Sequence, residues 1–260
     1  MKMKILMKNY QKIAFALVIG LISFSCTEDD DVNANEPQSN VALSATASNS
    51  NTAGARINER VNVNGFEVSQ FSVGTKDVEM KYAAKADLLA GISIGDITFK
   101  TNVNTAFHTE ASKSRNLILV NNGNVMVSTL AEGRSPDGNY TEVDFRLFKK
   151  TEGNENDPMY EKSLWIAGEI DGKISTIWLT NEKILKAKSE NATGIEVDGE
   201  TEMVLSFDMS KLFAGVDFST AVDANSDGRI DIGPNSADGN ATILSRIESN
   251  LESSVILKKK

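Results

Sequence analysis

Residues 164–179 read Leu164-Trp165-Ile166-Ala167-Gly168-Glu169-Ile170-Asp171-Gly172-Lys173-Ile174-Ser175-Thr176-Ile177-Trp178-Leu179. Two runs of alternating character flank Asp171-Gly172, a dipeptide that tolerates positive φ and closes a two-residue hairpin turn. With that turn Ile170 opposes Lys173, and the numbers of every cross-strand pair sum to 343. One face then carries Leu164, Ile166, Ile177 and Leu179, which reads as core. The other carries Trp165, Ala167 and Glu169 against Ile174, Thr176 and Trp178, so the protein's two tryptophans are cross-strand neighbours.

The same period of two recurs outward from this hairpin. Val78, Met80 and Tyr82 alternate with Glu79 and Lys81. Val143, Phe145 and Leu147 form a second such row, and Met203, Leu205, Phe207 and Met209 a third. Asn122-Gly123 offers another tight turn between the apolar runs 117–120 and 125–127, and 133–140 is a further turn-rich stretch. Residues 92–99 suggest an irregular strand, and 100–114 a polar loop. Short helices are expected at 86–90 and 181–189. Only 240–253 sustains helical spacing, through Ile243, Leu244, Ile247 and Leu251, before a closing strand at 255–257. Many short strands joined by Gly-rich turns predict a mainly β fold, an antiparallel β-sandwich with a short C-terminal helix. There is no Gly-rich loop after a strand and no βαβ rhythm, which argues against nucleotide binding.

The front of the chain concerns place. Lys2, Lys4, Lys8 and Lys12 precede the apolar run 13–24, which is too short to span a bilayer. Such a segment reads as a signal peptide. Ser25 and Cys26, the single cysteine, follow it, and then Thr27-Glu28-Asp29-Asp30-Asp31. The segment 21–26 resembles a bacterial lipoprotein box, with Ser23 where that box usually has Leu. The resemblance implies a signal peptide over 1–25, lipidation of Cys26, and a membrane partner reached through the N-terminal lipid. More than one acyl chain makes such an anchor stable. The acidic run after Cys26 is similar to the surface-export signal of Bacteroidota lipoproteins, which implies the outer membrane, facing the cell exterior. Residues 26–57, small and polar, read as a flexible tether, and 58–260 as one folded domain.

The whole chain has 27 basic and 36 acidic residues, net −9. The leader holds four lysines and no acid, so the mature chain carries 23 against 36, net −13. That balance disfavours nucleic acid as a partner. The one histidine, His108, reads as an exposed polar residue; a His-based zinc site or a His-dependent triad is disfavoured.

The sharpest motif is Asp223-Ala224-Asn225-Ser226-Asp227-Gly228-Arg229-Ile230-Asp231. It follows the first nine places of the twelve-residue calcium loop. Asp223, Asn225 and Asp227 would supply side-chain oxygens, Arg229 its carbonyl, and Asp231 a direct or water-bridged oxygen, while Gly228 permits the tight winding. The twelfth place, where a bidentate glutamate belongs, is Pro234; Asp238 or a residue distant in sequence would have to complete the site. The alternative is a solvated loop of Asx turns. Trp165, Trp178 and Glu169 form a second candidate, a platform for stacking and hydrogen-bonding a glycan, unless that face is covered.

Three stretches, Ala86-Asp87-Leu88-Leu89, Pro136-Asp137-Gly138-Asn139-Tyr140-Thr141-Glu142-Val143 and Phe207-Asp208-Met209-Ser210-Lys211-Leu212-Phe213, resemble a widespread secreted β-domain family of unknown function found among lipoproteins of flavobacteria and their relatives. The resemblance implies a sandwich of the prealbumin or carbohydrate-module kind and a place on the cell surface. It brings no catalytic residues. The expected function is therefore that of a non-enzymatic, surface-exposed lipoprotein acting in binding or interaction, its partner a glycan or another surface protein, with calcium held structurally at 223–231. The alternatives are a glycan-binding accessory lipoprotein in polysaccharide uptake and a hydrolase using paired acids. Replacing Cys26 with Ala is expected to abolish incorporation of labelled palmitate and to release the protein from membranes; label retained on the variant would refute the anchor.

Overall fold

Lys173 pairs with Ile170 and Trp178 with Trp165, in the register that the Asp171-Gly172 turn dictates. Both turn residues have positive φ, 49° and 75°. Leu164, Ile166, Ile177 and Leu179 are fully buried, as the alternation requires. The two strands are the ninth and tenth of fifteen in the computed structural model, which describes residues 36–49, 61–89, 99–101 and 111–260. All of these lie in one unit that begins at Asn35.

In chain order the strands are β1 (Gln38–Ser48), β2 (Val61–Val63), β3 (Phe66–Ala84), β4 (Lys100–Thr101), β5 (Arg115–Asn121), β6 (Asn124–Val125), β7 (Val127–Pro136) and β8 (Gly138–Leu147). They continue as β9 (Leu164–Ile170), β10 (Lys173–Leu179), β11 (Ile184–Ser189), β12 (Ile195–Val197), β13 (Thr201–Asp208), β14 (Arg229–Ile232) and β15 (Val255–Lys259). The fold is mainly β, built on one dominant sheet whose main path runs β14-β10-β9-β3-β8-β11-β15-β13-β1-β7. The helix Ala241–Asn250 buries Ile243, Leu244 and Ile247 on one face, as its spacing predicts. Lys85–Leu89 is the short helical turn expected near residue 86.

The 19-residue strand β3 is the spine. Its first part pairs with β9 and its second with β8, and β2, β5 and β4 also pair with it. At the seam between β8 and β9, Gly74 receives the Phe148 amide and donates its own to Ser163. A Cβ at Gly74 would fall 2.2 Å from the Phe148 carbonyl oxygen, so only glycine lets both strands meet there. At the far end of the path, the Ser128 hydroxyl donates to the Ile118 carbonyl and the Met126 amide to the Leu119 carbonyl. These bonds draw the start of β7 back towards β5, itself paired with β3. Phe71, Phe145 and Phe207 meet edge-on in the core, and Phe66, Phe213 and Phe218 form a second aromatic cluster.

Three expectations change. The sheet is mixed rather than antiparallel: β1 with β13, β10 with β14 and β11 with β15 run parallel. Parallel neighbours need crossover connections, and the long segments between these strands supply them. Second, the tether over 26–57 is interrupted by β1, an interior strand between β13 and β7. Val41, Leu43, Ala45 and Ala47 are buried in alternation there, and the folded unit starts near residue 35 rather than 58. The small polar residues between them suggest a linker by composition, yet period two is what a buried strand needs. Glu36, just before β1, is held by the Tyr82 hydroxyl and the Lys100 ammonium, which fixes where the chain enters the sheet. Third, 181–189 holds no helix. Leu185 and Ala187 are buried in alternation, and β11 pairs with β8 and β15. The turn-rich stretch 133–140 is likewise mostly strand, with β7 and β8 separated by Asp137 alone. Cys26, His108, the leader and the rest of the expected tether outside β1 and its flanks lie outside the described residues.

Leu43 is wholly buried mid-strand in β1. Leu43→Ala is expected to cost about 2–5 kcal/mol in denaturant unfolding, the range for a buried leucine. A chain lacking residues 36–49 is expected to lose cooperative unfolding; an unchanged transition in either would make β1 dispensable.

Candidate metal loop at the sheet edge

The sequence places Asp223, Asn225 and Asp227 at alternate positions, a pattern in which short polar side chains reach back to their own backbone. In the structure they do so. The Asp227 amide donates to Asp223 Oδ1 (3.1 Å) and Asn225 Oδ1 (3.0 Å), and the Gly228 amide to Asp223 Oδ2 (3.1 Å). Asn225 Nδ2 donates to Asp227 Oδ2, and the Arg229 amide donates to Asp227 Oδ1 (2.9 Å). Ser226 and Gly228 take positive φ, which winds the loop tightly. Ile230 points into the core, 3 % exposed, and pins the loop as expected.

The loop delivers the chain into β14, which lies parallel to β10 with Thr176 opposite Asp231 and Ile177 opposite Ile232. The Thr176 hydroxyl donates to Asp231 Oδ1. Asp231 therefore uses one carboxylate oxygen for the neighbouring strand.

Asp238 is 3 % exposed and holds both limbs of the segment. Its Oδ1 accepts from the amides of Ala224 (3.0 Å) and Asn225 (3.3 Å), and its Oδ2 from the Asp231 amide (2.7 Å). Asn240 adds a second tie. Its side chain exchanges two bonds with the Val222 backbone and donates to the Asp231 carbonyl, which also receives the Ser236 hydroxyl. A buried carboxylate needs such donors, because an unsatisfied one is costly.

The Lys173 ammonium pairs with the loop, 3.2 Å from Asp223 Oδ2. It comes from the hairpin strand β10, far away in sequence. Burial pushes the Asp223 carboxyl up, but the Lys173 ammonium and the amides of Gly228 and Asp227 outweigh this and hold it below the usual carboxylate range. Among the described residues, no three His, Cys, Asp or Glu side chains are grouped to hold a metal ion. The oxygens of Asp223, Asn225 and Asp227 are of the hard type that calcium takes. Asp238, the candidate for completing the set, is occupied with backbone amides.

The second candidate divides. Trp165 and Trp178 are paired and half-buried. Gly233, just after β14, lies against the Trp178 indole so closely that a Cβ there would fall 2.0 Å from Cε2. Part of that ring is therefore covered by the backbone just after β14. Glu169 is exposed four residues from Trp165, roughly 13 Å along a strand. It opposes Glu67 on β3 and lines a separate open cleft of about 380 Å³ with Glu67, Ser69, Asn122 and Ile174. The three residues thus share a face without forming one platform.

Sequence reasoning named the loop but not Lys173 or Asn240 as its fasteners. The Lys173 contact follows from β14 docking on β10, which no local pattern signals, and the Asn240 bonds close the segment 222–240 on itself over 9 and 18 residues, beyond the span of a turn motif. Comparison with protein-family models, with curated proteins and with solved structures found no match to this chain.

A folded-state pKa below the unfolded one stabilises fully above the unfolded value, near 3.9, and is lost as pH falls through the folded value. The stability gap between wild type and Lys173→Met is therefore expected to stay constant from neutral pH down to about 4 and to narrow below it. Urea unfolding across that range checks this; a gap unchanged in strong acid would remove Asp223 as the partner.

Proposed function

We propose that this chain is a lipid-anchored, surface-exposed binding domain without a catalytic role, whose partner is another surface protein. One observation carries the reading. Residues 116–131 contain no charged side chain, in a chain that is 24 % charged. Within that stretch Ile118, Val125, Met126 and Val127 are each 41–56 % exposed. They lie together where β5, β6 and β7 meet, joined by the bonds from Met126 and Ser128 to β5. An uncharged apolar patch rimmed by Asn and Ser side chains has the composition of an interface core, and an acidic domain leaves few other places for one.

The lipid anchor at Cys26 and the outer-membrane location rest on the resemblance of the leader, and the sandwich architecture on that of the domain. The fixed position of Glu36 suits a tether that hands over to a rigid body at residue 36. Calcium belongs to the same reading as a weak structural ligand. Asp223, Asn225, Asp227 and the Arg229 carbonyl would hold it, and Asp231 would contribute through water. A dissociation constant of roughly 10⁻⁴–10⁻³ M is the range for such an incomplete set outside the cell. Bound there, the ion would supply charge neutralisation to the loop in place of Lys173. The pairing of Trp165 with Trp178 supports a second reading, a glycan-binding accessory protein.

A photo-crosslinking residue at Val127 is expected to give a discrete adduct with one other surface protein on intact cells, whereas the same residue at exposed Lys186 gives none. Adducts equal at both positions, or none at Val127, would overturn the interaction face. Quenching of tryptophan emission by a polysaccharide would favour the second reading instead. For the loop, millimolar calcium is expected to raise the melting temperature of the folded unit reversibly, and Asp223→Ala to lose that rise. No rise in the wild type would exclude calcium.

A further inference from the structure

The acidic motif has a second property, independent of any metal. Among the described residues β14 is the last strand of the path, and none of the described strands lies beside its outer edge. An edge of this kind presents backbone groups that invite another strand. Here the Arg229 amide and both backbone groups of Asp231 are already answered by side chains. The Arg229 amide donates to Asp227 and the Asp231 amide to Asp238. The Asp231 carbonyl accepts from both Ser236 and Asn240. Asp238 and Asn240 are themselves buried, 3 % and 8 % exposed, and Gly233 is packed on Trp178. These side chains stand where the next strand's backbone would stand.

We propose that residues 223–240 form a sheet-terminating cap, which keeps the β14 edge from adding a strand of a second copy of this chain. The second copy is the specific hazard, because each copy carries the same edge and two such edges can pair about a two-fold axis. The carboxylates of Asp227 and Asp238 thus act as substitutes for the carbonyls of a missing strand. Their negative charge also opposes the approach of an identical edge.

Sedimentation of the full folded unit in high salt, where charge repulsion is screened, tests this together with amide exchange. Asp238→Ala is expected to raise the weight-average mass towards a dimer as concentration rises. Before association, exchange at the Asp231 amide should quicken about tenfold or more, with β9 amides unchanged, as for a local opening. Asp238→Asn, which keeps one acceptor oxygen, is expected to fall between. If Asp238→Ala does not fold, Ser236→Ala carries the test, since it removes the bond to the Asp231 carbonyl and the acceptor of the Asp238 amide, and so loosens the carboxylate that holds the Asp231 amide. Mass and Asp231 exchange equal to wild type in the folded variant would overturn the proposal, as would association with Asp231 still protected. Neither outcome depends on calcium, so the cap and the metal reading fail separately.

Discussion

A mixed sheet of this length has to end, and backbone N–H and C=O groups at its ends must find partners. Much of the structure can be understood as an answer to that requirement. One end of the path is drawn round towards β5 by the bonds from Met126 and Ser128. The other stops at β14, where Asp227, Ser236, Asp238 and Asn240 take the place of a strand. Between them, β3 carries pairing on both edges and requires Gly74 where two partners change over. The apolar core follows, since alternate residues from each strand fall on the enclosed side.

The requirement also explains why the acidic loop has so many local bonds. A calcium loop and a backbone cap draw on the same chemistry, short side chains with hard oxygens held close to amides. Asp223, Asn225 and Asp227 wind the chain, Lys173 neutralises part of the charge, and Asp238 locks the limbs together. A weak cation site fits this arrangement as an addition to a loop already fastened. The uncharged patch of Ile118, Val125, Met126 and Val127 lies elsewhere on the molecule, at the β5–β7 side, and the two features have separate roles.

Much of the fold was legible in the sequence. The register of β9 and β10 came from one dipeptide, and the inward rows of β8 and β13 from period two. These are local signals, since turn chemistry and alternation act over a few residues. β1 was obscured by composition, because its Ser, Thr and Ala residues resemble a linker even though Val41, Leu43, Ala45 and Ala47 alternate. β11 reads as a helix because its apolar residues Ile184, Leu185 and Ala187 are few, set among lysines, and do not alternate strictly. Parallel partners such as β14 on β10 join segments some 50 residues apart. No spacing within either segment encodes that contact, so Lys173 is not legible in the sequence as a fastener of the loop. The Trp165–Trp178 pair was placed correctly, but its cover at Gly233 depends on the same contact.

The central claim is that side chains of the loop complete the backbone bonding of β14. Residue-resolved hydrogen exchange of the unmodified protein in the presence of a chelator tests it most directly. If the claim holds, the amides of Arg229 and Asp231, which face away from β10, exchange about as slowly as those of Ile230 and Ile232 in the same strand. Fast exchange at Asp231 beside slow exchange at its neighbours would show an open edge and contradict the account.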